Sequence, residues 1–234
     1  MPGPVALIGA GAFLPAMAEL DRELLAATGL PRPRVVILTA APTRPADAQA
    51  RELEAAAEHF ISLGAEVEPI VVPAGAIDGD DAALQAIGEA DAVYLADGRS
   101  GRLCALLNGT GLGAVIIAAH QRGAVLVGCA AGAGALAARR AELRARVLPW
   151  PLYWRPALGL LADVVVLPDY DRLPEPLAAL LALQAPRGAV VLGIDAGTAV
   201  VGRQGAWQVH GPARVTVWRG RHRRRYRRGD VFRI

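Results

Sequence analysis

Short apolar runs alternate with amphipathic helical segments over the first two thirds of this chain, at intervals of roughly 25 to 30 residues. That rhythm limits the fold more than any other property. Val5 to Gly9 is an apolar run closed by G-A-G, and Phe13 to Thr28 carries apolar residues at helical spacing up to Gly29 and Pro31. R-V-V-I-L (34–38) predicts a buried strand, Pro45 to Leu63 a long Ala/Glu helix stopped at Gly64, and Val67 to Val72 the next strand. Asp80 and Asp81 can start the following helix, because their carboxylates accept hydrogen bonds from its free N–H groups. Ala92 to Ala96 and Ala124 to Val127 read as strands; Ser100 to Leu107, Gly113 to Gln121 and Ala131 to Arg146 read as helices. Apolar strands separated by helices belong to a mostly parallel sheet covered on both faces.

After about Pro149 the texture changes. The stretch P-W-P-L-Y-W-R-P leads to a strand at Asp163 to Leu167, a helix near Pro176 to Gln184 and a strand at Ala189 to Leu192. The short alternating segments Ala199 to Val201, Trp207 to His210 and Arg214 to Trp218 predict antiparallel additions at the sheet edge. Without repeats or low-complexity linkers, residues 1–218 read as one domain, followed by an Arg-rich strand or tail at 219–234.

Composition removes several function classes. The 234 residues are 53% hydrophobic and 20% charged, which describes a packed globular chain and not a disordered one. No window reaches the length of a membrane span, and M-P-G-P-V-A-L-I-G lacks the basic start of a signal peptide, so a soluble cytoplasmic protein is expected. Cys104 and Cys129 cannot make a disulfide framework, and His59, His120, His210 and His222 are scattered; neither a metal nor a cofactor is expected. Eight arginines fall in residues 219–234 against one acid, Asp230, whereas the other 218 residues hold 17 Arg and 21 acids, a formal net of −4. The basic character therefore belongs to the C-terminus, and the body is mildly acidic.

Chemistry points to residues 125–134, V-L-V-G-C-A-A-G-A-G. In an open parallel sheet, sites lie beyond the carboxyl ends of the strands. A nucleophile on a sharp strand-to-helix turn needs small neighbours, and Gly128 and Gly132 stand two residues either side of Ala130. The N–H of Ala131 would then be one oxyanion donor. The blander account is that any such turn in an Ala/Gly-rich chain is rich in glycine.

The surroundings favour the first account. Y-L-A-D-G-R-S-G-R-L, L-L-N-G-T-G-L and G-A-V-L-V-G-C-A-A-G-A follow in an order and spacing that resemble the dipeptidase E and cyanophycinase family of serine hydrolases. L-G-L-L-A-D-V-V-V-L-P-D-Y-D-R resembles the family stretch that holds its catalytic histidine, and V-L-G-I-D-A-G-T-A-V-V resembles G-I-D-E-G-T-A. L-I-G-A-G and R-V-V-I-L-T-A-A fit as well, so the likeness covers about residues 4–218. It implies a three-layer α/β fold like that of class I glutamine amidotransferases. Carried over position by position, it also implies a lost catalytic set. Ala130 stands where the family has its serine, and Asp169 where it has its histidine. Glu142 is the one acid between Ala131 and Ala162, at a spacing short of the family's third member. In the oxyanion turn Gly98 is kept, but Asp97 precedes it and Arg99-Ser100 replace the usual amide-bearing pair. Ala196 replaces the acid of G-I-D-E-G-T. A Ser-His-acid mechanism needs a hydroxyl and a base to deprotonate it, and neither is present.

Three other roles remain open to the residues. Cys129, one position before the apex, is the alternative nucleophile, since a thiol at a helix N-terminus is activated; free cysteines are more often buried and inert. A pocket without a triad keeps main-chain donors near Gly98, Gly128 and Ala131, with Arg99, Ser100 and Asp169 at its rim, and so fits a small carboxylate or peptide ligand. Seven of the ten residues from Arg219 to Arg228 are arginine, a stretch that suits nucleic acid or another polyanion, or else keeps an exposed edge hairpin soluble. A second copy of the chain is a further candidate partner.

Overall fold

The computed structural model describes residues 1–40, 46–73, 81–96, 100–142, 153–203 and 205–234. Five parallel strands form the heart of the larger sheet: β1 (Val5–Ile8), β2 (Arg34–Ala40), β3 (Glu66–Val72), β4 (Ala92–Leu95) and β5 (Val125–Cys129), laid side by side as β1-β5-β4-β2-β3. Three of them, β1, β4 and β5, are buried along their whole length, as strands covered on both faces must be. Three more strands continue the sheet beyond β1, all antiparallel: β10 (Ala199–Arg203), β11 (Ala206–His210) and β14 (Val231–Arg233).

The period-2 alternation of side chains splits the core in two. Ala6, Ile8, Val35, Ile37, Tyr94, Val125, Val127 and Cys129 face α1 (Ala18–Ala26) and α2 (Ala46–Ser62), whose Leu20, Leu24 and Phe60 cover them. Leu7, Val36, Leu38, Val93, Leu95 and Leu126 face the other way, onto α3 (Asp81–Glu89), α4 (Ser100–Leu107), α5 (Gly111–Arg122) and α6 (Ala131–Leu136). α5 is capped at its start by the Thr110 hydroxyl, which accepts from the Gly113 N–H at 3.3 Å.

The structure departs from the sequence expectation in two places. One is the expected helix from Ala131 to Arg146. It ends at Leu136, and residues 139–142 instead form β6 (Arg139–Glu142), paired antiparallel with β7 (Tyr153–Pro156) from the Trp/Pro-rich stretch. Alanine and arginine are good helix formers, but intrinsic propensity amounts to less than about 1 kcal/mol per residue, and pairing with β7 overrides it here. The other is the sheet edge. Arg214 to Trp218 does not join the large sheet; β12 (Arg214–Arg219) pairs with β9 (Val190–Ile194) and β13 (His222–Arg227). β9 pairs in parallel with β8 (Val164–Leu167) through α7 (Glu175–Leu183), completing a second sheet in the order β13-β12-β9-β8. One face of this sheet joins the main core through Val166, Leu192 and Val217. The other carries Trp218 and Val191 against Tyr170 and α7.

Among the described residues no single helix is long and apolar enough to cross a membrane. The bent pair α4–α5 passes such a test by composition, but its Leu103, Leu107, Leu112 and Ile116 are core residues of this domain.

Candidate active site

The Val125–Cys129 strand delivers the chain to Ala130 at φ 47° and ψ −105°, a backbone conformation that costs an L-residue on the order of 1–3 kcal/mol. It is held by two main-chain hydrogen bonds: the Ala130 N–H donates to the Ile8 carbonyl (2.9 Å), and the Ala130 carbonyl accepts from Gly134 (3.2 Å). The flanking glycines are there for space. A Cβ on Gly128 would lie 2.6 Å from the Gly132 carbonyl carbon, and one on Gly132 would overlap the Leu95 carbonyl oxygen of β4. Strand, turn and helix can approach this closely only without side chains at those two positions. α6 then runs away from the apex wholly buried. The expected elbow is present, at the carboxyl edge of the parallel sheet, and its apex carries a methyl group.

Asp169, which the resemblance sets at the position of the family histidine, follows β8 in a left-handed conformation (φ 47°, ψ 40°). Its N–H donates to the Gly9 carbonyl at 3.3 Å. Ala130 and Asp169 therefore hang on successive carbonyls, Ile8 and Gly9, at the end of β1. The structure brings the backbones of the two expected positions to one strand end. The Asp169 carboxylate is about one-third exposed, with the Arg172 guanidinium 3.7 Å away. The expected rim residues Gly98 and Arg99 lie outside the described residues, as do the side chains of Ser100 and Glu142.

Cys129 is buried, at 3% exposure, and not in a disulfide; Cys104 is likewise a buried thiol outside any disulfide, pushed up in pKa by that burial. The Cys129 side chain faces the α1–α2 layer. There it lies near a polar group that sequence reasoning missed. Asp21 of α1 is 1% exposed; its Oδ1 accepts from the Tyr94 hydroxyl at 2.7 Å, and its Oδ2 lies 2.8 Å from His59 Nε2. Burial first, then the Asp21 charge, pushes the Tyr94 phenol well above its ordinary value, so it stays a neutral donor. The sequence signal was faint: an acid on the apolar face of a predicted helix, 38 residues from its histidine.

A second missed group is Asp195, from the G-I-D-A-G-T block. It is 3% exposed, with Arg214 Nε 3.2 Å from Oδ2, while Oδ1 has no hydrogen-bond partner among the described residues. Burial raises its pKa, the Arg214 charge opposes the shift, and neighbouring Asp171 adds to it. Asp171 in turn accepts from the Ala196 N–H at 2.8 Å.

Comparisons with known proteins identify the family and the fold. The family model of peptidase family S51 matches residues 7–200. The crystal structure of a peptidase from an acI-B1 Actinobacterium superposes with a TM-score of 0.87 at 24% identity, covering 100% of this chain and 98% of that one. A putative peptidase E protein from Listeria monocytogenes EGD-e gives a TM-score of 0.64 at 17% identity, covering 91% of this chain and 100% of that one. Among curated proteins, none matches the sequence.

Proposed function

The chain belongs to peptidase family S51, the dipeptidase E and cyanophycinase family, and from that premise we propose that it keeps a serine-peptidase scaffold without the hydrolysis and holds a small carboxylate or peptide end at the elbow. One observation carries the reading: Ala130 occupies the strained apex where the resemblance places a serine, and its side chain can neither attack nor be activated. Asp169, on the next carbonyl along, that of Gly9 just past β1, supplies a carboxylate in place of an imidazole. A carboxylate is a weak base towards a serine hydroxyl and lacks the imidazole N–H that a histidine would give to the leaving group. The reading takes the protein as cytoplasmic, which two buried cysteines outside any disulfide support.

Fluorophosphonate probes should not label the native protein, and aspartyl dipeptides or Asp-Arg polymers should remain intact, while aspartyl dipeptides should raise the melting temperature. Ala130→Ser alone should stay inactive; recovery should need Asp169→His as well, because triad members act as a unit. Turnover by the unmodified protein that survives repurification and Cys129→Ala would overturn the reading. Rapid iodoacetamide labelling of Cys129 that spares Cys104 would favour a thiol hydrolase instead.

A further inference from the structure

The arginines of the C-terminal hairpin divide between its two faces. On the face turned to α7, Arg223 and Arg225 both pair with Glu175, and Arg223 also covers the Trp218 ring at 5.3 Å. Just past the strand, Arg228 pairs with Glu19 at 2.7 Å. These cations are neutralised within the fold. The opposite face is built differently. The register sets Arg219 across from His222, Val217 across from Arg224 and Val215 across from Tyr226, so Arg219, His222, Arg224 and Tyr226 share one side. β14 meets them with Phe232, stacked on Tyr226 at 4.8 Å, and with Arg233, whose carbonyl accepts from the Arg219 guanidinium at 2.6 Å. A cavity of 660 Å³ lies between hairpin and β14, and no acid is among the side chains that line it.

We propose that this cavity binds the polyphosphate group of a small ligand. Arg219, Arg224 and Arg233 form no ion pair with any described acid, although Glu175 and Glu19 pair with arginines of the same hairpin. Like charges gathered without a counter-charge repel one another, and a bound polyanion removes that repulsion. Guanidinium groups match phosphate oxygens in a bidentate fashion, and several around one cavity suit an anion with several charges. The half-buried Tyr226 ring gives a flat apolar wall to a base, should the phosphates carry one. A cavity of this size fits a small molecule; a long nucleic acid needs an extended basic track, and the body outside residues 219–234 has a formal net charge of −4. The site lies at the sheet edges and is independent of the elbow reading.

Calorimetric titration of the full chain with inorganic tripolyphosphate and, separately, with ATP tests this. Saturable one-to-one binding is expected, weakening as salt rises from about 50 to 200 mM. Arg224→Gln and Arg233→Gln should each reduce affinity by about tenfold or more. Arg227→Gln, an equal charge change on the other face of β13, should leave it unaltered, with melting temperatures showing that all three variants fold. If Tyr226→Ala weakens ATP but not tripolyphosphate, the natural ligand is a nucleotide; if neither changes, a free polyphosphate. The proposal falls if no saturable binding occurs, if Arg227→Gln loses as much as Arg224→Gln, or if tripolyphosphate fails to displace a bound oligonucleotide.

Discussion

Ala130 holds a strained backbone at the turn after β5, with only a methyl group for a side chain. Its φ of 47° serves no described interaction beyond the bonds to Ile8 and Gly134 that hold it. Glycine adopts such a conformation without penalty, so Ala130→Gly should stabilise the protein by about 1 kcal/mol. In a domain of this size that raises the melting temperature by roughly 2–4 °C, readable by calorimetry. An unchanged or lower value would mean that the alanine methyl packs well enough in the α1–α2 layer to offset its strain. At this scale the site was legible: G-C-A-A-G named the apex and both glycines that the close approach demands. The Asp21–His59–Tyr94 group was not, because its members are separated in sequence and only the sheet register brings Tyr94 under α1.

Among the elements, the five parallel strands were readable because each is a single apolar run between helices, and burial on both faces erases the alternation that would confuse them. Pairing was not readable. Arg214 to Trp218 alternates as an edge strand does, and nothing in that pattern says which of two sheets it joins. The end of β9 is the junction that sequence reasoning missed, where Asp195 meets Arg214 of β12. Gly9, just past β1, runs so close to the Asp195 backbone there that a Cβ on it would overlap the Asp195 carbonyl oxygen. The Asp195 carboxyl is raised by burial, so the folded protein holds that proton more tightly than the unfolded chain does. Its contribution to stability is full below the unfolded value near 4 and is lost as pH rises through the raised folded value. Asp195→Asn cannot make that transition. Denaturant unfolding at a series of pH values should show the variant gaining on the parent from pH 4 towards 7; a constant difference would show that Arg214 compensates the charge completely.

For the whole molecule, the last sixteen residues are structural. β13 closes the edge of the smaller sheet and β14 the edge of the larger, with Phe232 buried at 5% opposite Trp207. Deleting residues 221–234 should expose two strand edges at once and remove Phe232 from the core, costing at least about 3 kcal/mol. Light scattering should show aggregation and denaturant titration an earlier midpoint. A truncated protein as stable and monomeric as the parent would reduce the hairpin to decoration.

The position of β1 has a consequence in time. Leu7 pairs with Gly128 on one side and Val200 on the other, roughly 120 and 190 residues later in the chain. At a synthesis rate of about 5–20 residues per second, the second neighbour leaves the ribosome roughly 10–40 s after the first strand. The segment V-A-L-I, which ends with no exposure to water beyond that of Val5, thus begins with both edges open and no partner made. β1 leaves the ribosome before both of its partners and is among the last of these strands to be enclosed, and until then it is the kind of sticky, extended strand that holdase chaperones retain.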